Sequence, residues 1–268
     1  MKNIIVCIKQ TPKSDNIKID PATGCLIRTG AESAINPFDE FALEEGIRIK
    51  ERLTAQGKTA VVNVITMGPP QAEAVLRTSV AKGADKVFHL SDIAFAGSDT
   101  WATSYALSKG IQKIGNPYII ICGKQTNDSD TGHIGAQISA WLKYPNSSFV
   151  RKVSELGDAN ITVERLVEDG TDTINLSTPA VLSVVKEINK PRIASISGRI
   201  SAKTFEITTW TADDIKADKT KLGMKNSPTK VVKSFTPKRE ANSIVIEGAT
   251  SKERANNLVK ILKENQYV

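Results

Sequence analysis

Four short runs of apolar, β-branched residues, each followed by a segment of helical periodicity, constrain this chain more than any other feature. The runs cover residues 3–9, 59–66, 86–90 and 117–122. After the first, Asn36-Pro37 opens a helix. Asn36 is expected to cap its free N–H groups, Pro37 to fill the first turn, and Asp39 and Glu40 to face its positive end. Ala42, Gly46, Ile49 and Leu53 then recur at helical spacing. Further helices are expected over 71–82, behind a Gly-Pro-Pro turn, and over 99–114 and 132–142. Strands that are apolar throughout are buried on both faces, and intervening helices let successive strands run parallel. The expected fold is α/β: a doubly wound, mostly parallel sheet of the Rossmann-like, adenine-nucleotide-binding type.

The pattern changes after Pro145. Residues 161–166 and 173–185 read as two paired strands around the turn Glu168-Asp169-Gly170-Thr171. From about Asp213 the chain turns polar and rich in Lys, Ser, Thr and Pro. It ends in an amphipathic helix over 250–268, with Thr250 and Glu253 as a capping box and Ala255, Leu258, Val259 and Leu262 as an apolar stripe. Two units are expected: residues 1–212 as the nucleotide-binding domain, and 213–268 as an arm whose helix packs on its own domain or on a partner subunit. No internal repeat is present.

A net charge of +7 raises the question of nucleic acid, but aromatic residues make up only 5% and the lysines are dispersed. The exception is Lys230, Lys233, Lys238 and Arg239. Such an excess favours anionic ligands or an acidic protein partner, and equally serves as a solvated face. Cys7, Cys25 and Cys122 form no C-x-x-C pair, which argues against a disulfide framework, zinc or an iron–sulfur cluster. No apolar stretch is long enough to insert into a membrane. The first strand starts at the N-terminus and leaves no room for a signal peptide, so a cytoplasmic location is expected.

Ligands of open parallel sheets bind at the carboxyl ends of the strands. Those ends carry Cys7-Ile8-Lys9-Gln10, Thr66-Met67-Gly68-Pro69 and the long polar segment 123–135. The last runs directly into a helix N-terminus, which suits a phosphate, and Gly123 and Gly132 allow close backbone approach. A capped loop without a ligand accounts for the same residue types. Neither G-x-G-x-x-G nor a Walker A sequence is present. His89 at a strand end and His133 in the loop make no recognisable catalytic set, so any chemistry must come with a cofactor.

Three segments carry a family resemblance: Asn36-Pro37-Phe38-Asp39-Glu40, Gly123-Lys124-Gln125 with its Asp/Thr-rich continuation, and Ile188-Asn189-Lys190-Pro191-Arg192. In that order and spacing, with Thr178-Pro179-Ala180-Val181 between, the chain resembles electron transfer flavoprotein β subunits over nearly its whole length. The resemblance implies a heterodimer with an α subunit that carries its own FAD. It also implies a nucleotide pocket in the β subunit made by Cys7, Asn36, Pro37, Phe38, Asp39, Met67, Gly123, Lys124, Gln125, Thr126, Asn127, Asp128, Ser129, Asp130, Thr131, Gly132, His133 and Ile134.

In simple members of the family that pocket holds AMP as a structural ligand. In the electron-bifurcating group it holds a second FAD that accepts hydride from NADH and parts the electrons between ferredoxin and, through the α-subunit FAD, a flavin dehydrogenase. Two segments are similar to the bifurcating group: 96–104, which adds Asp99, Thr100 and Thr103 to the expected cofactor contacts, and 222–229 in the arm. Residues 192–200 occupy the place of the family's recognition loop, where Ile196 matches the side chain that docks on the dehydrogenase. Ile193 and Ser197 stand where the family usually has an aromatic and Pro, and only Lys203 remains of a basic run. The resemblance implies a flavin dehydrogenase such as an acyl-CoA dehydrogenase or reductase as partner, and these departures point to a variant of it. A stand-alone nucleotide-binding regulatory protein is the alternative of another class.

Overall fold

The computed structural model describes residues 1–12, 18–19, 26–27, 33–229, 232 and 243–268. Cys25, Lys230, Lys233, Lys238 and Arg239 lie outside the described residues. In chain order the main elements are β1 (Lys2–Cys7), α1 (Pro37–Ala55), β2 (Ala60–Met67), α2 (Glu73–Lys82), β3 (Lys86–Leu90), α3 (Thr100–Ile114), β4 (Pro117–Gly123) and α4 (Ile134–Leu142). They continue with β5 (Asn146–Leu156), β6 (Asn160–Val167), β7 (Gly170–Ser177), β8 (Ala180–Val184), α5 (Ile196–Thr204), β9 (Thr208–Trp210) and α6 (Ser251–Glu264). Among the described residues these strands form one sheet of order β7-β6-β5-β8-β4-β1-β2-β3-β9. All neighbours pair parallel except β5 with β6 and β6 with β7.

The unbroken apolar runs are explained by the two layers of helices. Ile4 and Val6 of β1, with Ile119 and Ile121 of β4, point into the core beneath α1 and α2. Their neighbours Ile5, Cys7, Ile120 and Cys122 point into a second core beneath α3 and α4. Gly46 lets α1 approach closely, since a Cβ there would lie 2.7 Å from Val6 Cγ2.

The segment 173–185 corrects the expected strand pair. Only β7 belongs to the hairpin with β6; Pro179, with no N–H to donate, ends the ladder. The chain then inserts β8, buried at every position, between β4 and β5 as a parallel strand. The chain beyond residue 212 stays on the body for some distance. Ala212, Ile215 and Leu222 are buried in the second core, and the Asp218 N–H donates to Tyr105 Oη at 2.9 Å. At the far end Thr250 Oγ1 accepts from the Glu253 N–H at 3.2 Å, and Glu253 Oε2 accepts from the Ala249 N–H at 2.9 Å. The stripe on α6 is left about half in water, with Leu258 44% and Val259 46% exposed. No helix among the described residues is long and apolar enough to cross a membrane.

Candidate functional site

Strand order reverses between β1 and β4: the chain leaves β1 toward β2 and β3 on one side and returns through α3 to β4 on the other. A crevice therefore opens at the carboxyl ends of β1 and β4. Asn36 stands over it, and its role differs from the expected one. Its side chain makes no capping bond to an N–H of its own helix. Instead Asn36 Nδ2 donates to the Gln125 carbonyl at 2.8 Å, and Asn36 Oδ1 accepts from the Asn127 N–H at 3.2 Å. The loop outcompetes the helix because these groups would otherwise be buried without partners.

Asp39 makes a second tie. One carboxylate oxygen accepts from the Lys9 N–H at 2.8 Å and the other from the Gly123 N–H at 3.1 Å, so one buried side chain binds the ends of β1 and β4 to α1. Burial pushes its pKa up to about 7, against the lowering effect of those N–H groups, of Asn36 and of the Lys9 charge. Lys9 Nζ in turn reaches both oxygens of Asp128 at 2.8 Å. Sequence reasoning set Lys9 at a strand end without a role, although a cation beside a polar loop is a readable signal.

The loop between β4 and α4 folds on itself. Gln125 donates to Asp130, Thr126 and Ser129 share a hydroxyl contact of 2.8 Å, and Asp130 and Gly132 take left-handed backbone angles of +55° and +67°. Thr131, Gly132 and His133 are exposed at its end, and the His133 side chain does not cap α4. Ile134 is half-buried against the second core. Pro37 is exposed, and Phe38 is half-buried beneath the Lys124 ammonium.

Met67 packs half-buried on the second core beside Gly68, whose carbonyl contacts His89 Nε2 at 3.1 Å. Burial lowers the His89 pKa. Cys7 and Cys122 are buried register neighbours on adjacent strands. The hydrogen bond with Cys7, followed by burial, pushes the Cys122 thiol up.

Asp99 caps α3, accepting from the Ala102 N–H at 3.0 Å, and its other oxygen takes the Thr229 N–H and hydroxyl at 3.0 and 2.9 Å. The Asp99 N–H donates to Ser227 Oγ at 2.9 Å, and the Gly223 N–H to Ser98 Oγ at 3.1 Å. Partial burial opposes ionisation of Asp99, but these donors outweigh it and hold the pKa low. The two segments singled out at 96–104 and 222–229 are thus latched together, and the Asp99 carboxylate is engaged by the arm. Thr100 Oγ1 accepts from Gln137 Nε2 at 3.4 Å, while Gln137 Oε1 is buried without a partner among the described residues. Thr103 is half-buried on α3. Gln137 was missed from the sequence, since only the packing of α3 on α4 brings it to Thr100.

Ile196 lies outside the crevice. The segment around it is a helix rather than a loop, capped by Ser195 Oγ, which accepts from the Gly198 N–H at 3.0 Å. It presents Ile193, Ile196 and Ile200 at 86%, 81% and 63% exposure. Arg192 anchors this ridge to α1: its Nε donates to buried Glu44 at 2.8 Å and its Nη1 to Glu51 at 2.8 Å. At the other end Arg77 Nη1 donates to the Ala202 carbonyl at 2.6 Å.

Comparison with known proteins bears on this arrangement. The sequence model of the electron transfer flavoprotein domain matches residues 23–215. An electron transfer flavoprotein subunit beta of Thermoanaerobacterium thermosaccharolyticum is 46% identical over 267 residues, covering 99% of this chain and 100% of the relative. The caffeyl-CoA reductase-Etf complex subunit CarD of Acetobacterium woodii is 41% identical over 265 residues, covering 99% of each. Protein FixA of Sinorhizobium fredii is 38% identical over 274 residues, covering 98% of this chain and 94% of that protein. Matches of this length and identity leave one assignment: the chain belongs to the electron transfer flavoprotein family, as a β subunit acting in electron transfer.

Proposed function

We propose that the crevice between β1 and β4 holds FAD, and that the chain works as the NADH-accepting β subunit of an electron-bifurcating electron transfer flavoprotein. The observation that carries this reading is the buried Gln137 Oε1, an acceptor without a donor among the described residues, at the junction of α3 and α4. An orphaned buried acceptor is costly unless a ligand supplies the donor. A ligand with phosphates at the 123–133 loop and N–H or O–H donors toward α3 suits it, and FAD is long enough to offer both.

In this reading the N–H groups at the start of α4 and Lys124 receive phosphate, while Thr100, Thr103, His133 and Gln137 surround the remaining groups. Asn36, Asp39 and Asp128 hold the loop, and Cys7 and Met67 form the floor. Bound FAD would supply the redox chemistry, taking hydride from NADH and passing electrons to ferredoxin and toward a flavin dehydrogenase. The chain's own residues contribute binding, orientation and exclusion of water.

The expected assembly is a cytoplasmic heterodimer with an α subunit, in which residues 213–268 serve as an arm and the apolar stripe of α6 is covered by that subunit. The name of the Acetobacterium woodii relative joins it to a reductase acting on an acyl-CoA, which supports a flavin dehydrogenase or reductase of that kind as partner. Co-expression with the α subunit, followed by release and chromatography of bound nucleotides, tests the cofactor. Two FAD per heterodimer is the expected result, whereas one FAD with one AMP would reduce the β subunit to a structural role. Docking is tested separately. Ile196→Asp is expected to slow electron delivery to the dehydrogenase about tenfold or more while flavin content stays unchanged; normal delivery would remove Ile196 from the docking surface.

A further inference from the structure

Lys124 is held in an unusual way. Its ammonium lies 5.3 Å from the centre of the Phe38 ring and 5.9 Å from that of Phe149, and among the described residues it pairs with no carboxylate. Lys9, by contrast, is bound to both oxygens of Asp128. A carboxylate partner neutralises a lysine, whereas two aromatic faces fix it in place and leave its full charge for an anion.

Phe149 achieves this from a backbone conformation that a bulky residue seldom takes. Its φ is +59°, and the residue is 46% exposed. The register explains how: Leu182 pairs with Ser147 and Val184 with Val150, so β5 spends one residue more than β8 over this stretch and bulges at 148–149. Ser147 and Val150 on either side are buried, and the bulge turns Phe149 out of the sheet toward Lys124. The position would be easier for glycine, and the ring adds little to the core, so the strain points to a role outside packing.

From this geometry we infer that Phe149 is a positioning residue of the crevice: with Phe38 it holds the Lys124 ammonium unneutralised, ready to pair with a phosphate of the bound nucleotide. The inference rests on the proposal that the crevice binds a nucleotide, and it extends that site to a strand that residue patterns alone do not connect with it.

The test titrates AMP and FAD calorimetrically, at low and high potassium chloride, into the αβ complex that keeps its α-subunit FAD and is freed of the β-subunit nucleotide. Phe149→Gly suits the backbone and removes the ring. It is expected to keep or raise the unfolding temperature, loosen nucleotide about tenfold, and flatten the salt dependence as Lys124→Gln does. Phe149→Tyr, which keeps the aromatic face, should bind within about twofold of the natural chain. The double variant should bind no more weakly than Lys124→Gln alone, because the ring acts only through the lysine. Unchanged affinity in Phe149→Gly beside weakened Lys124→Gln would overturn the inference alone, as would losses that simply add. Failure of the natural complex to bind either nucleotide would overturn the nucleotide reading and this inference together.

Discussion

Gly123→Ala is expected to lower the unfolding temperature by about 10 °C and to cut nucleotide retention in the αβ complex. The glycine needs no special backbone angle; it needs room. An added Cβ would lie 2.5 Å from Asp39 Oδ1, 2.7 Å from the Phe38 carbonyl carbon and 2.8 Å from Phe38 Cβ. All three belong to residues in the first turn of a 19-residue helix packed against the sheet, which has little freedom to withdraw. Overpacking of this kind costs roughly 1–3 kcal/mol. The Gly123 N–H bond to Asp39 would be lost as well, adding roughly 1 kcal/mol. A total of about 3 kcal/mol corresponds to about 10 °C in a domain of this size. Thermal unfolding of the purified variant checks the figure, and a shift below about 2 °C would mean that α1 yields more easily than its packing implies.

The second large effect concerns pH. Asp39 keeps its proton up to about pH 7 in the folded chain, against an ordinary carboxyl value of 3.8. Between these values the unfolded chain has released the proton and the folded chain still binds it, so each rise in pH favours unfolding. The stability that Asp39 contributes is complete below about pH 4 and lost as pH rises to about 7, at about 1.4 kcal/mol per unit of pKa difference. Glu44 and Asp99, whose pKa values are lowered, act in the opposite sense and lose stability as pH falls. The informative quantity is therefore the difference between the natural chain and Asp39→Asn, measured by urea unfolding from pH 4.5 to 7.5. The natural chain should lose stability relative to the variant across this interval. Parallel curves would mean that the donated N–H groups keep Asp39 ionised throughout.

The sheet was legible because strands covered on both faces must be apolar at every position, as residues 4–7 and 118–122 are. β5 was not. Its alternation is broken by the bulge at Phe149, and Arg151 and Lys152 stand exposed in its middle, so periodicity offered no strand signal. At Asn36 the residue type pointed correctly to a helix start, but local capping rules cannot weigh a loop that approaches from about ninety positions along the chain. Asp39 was taken for a helix-end charge, whereas its oxygens are bound by two strand ends. The polar loop at 123–133 was readable as a candidate ligand site. The partnerships of Lys124 with Phe149 and of Thr100 with Gln137 depend on packing that no local pattern records.

The half-exposed stripe on α6 has a consequence for how such a chain is made. Leu258 and Val259 sit on a well-capped helix and remain in water within the single chain. Copies synthesised in excess of whatever covers that stripe would find it in one another first, and chaperones and proteases recognise the same surface. Supply of this protein is therefore expected to follow that of its covering partner, with the surplus removed rather than stored.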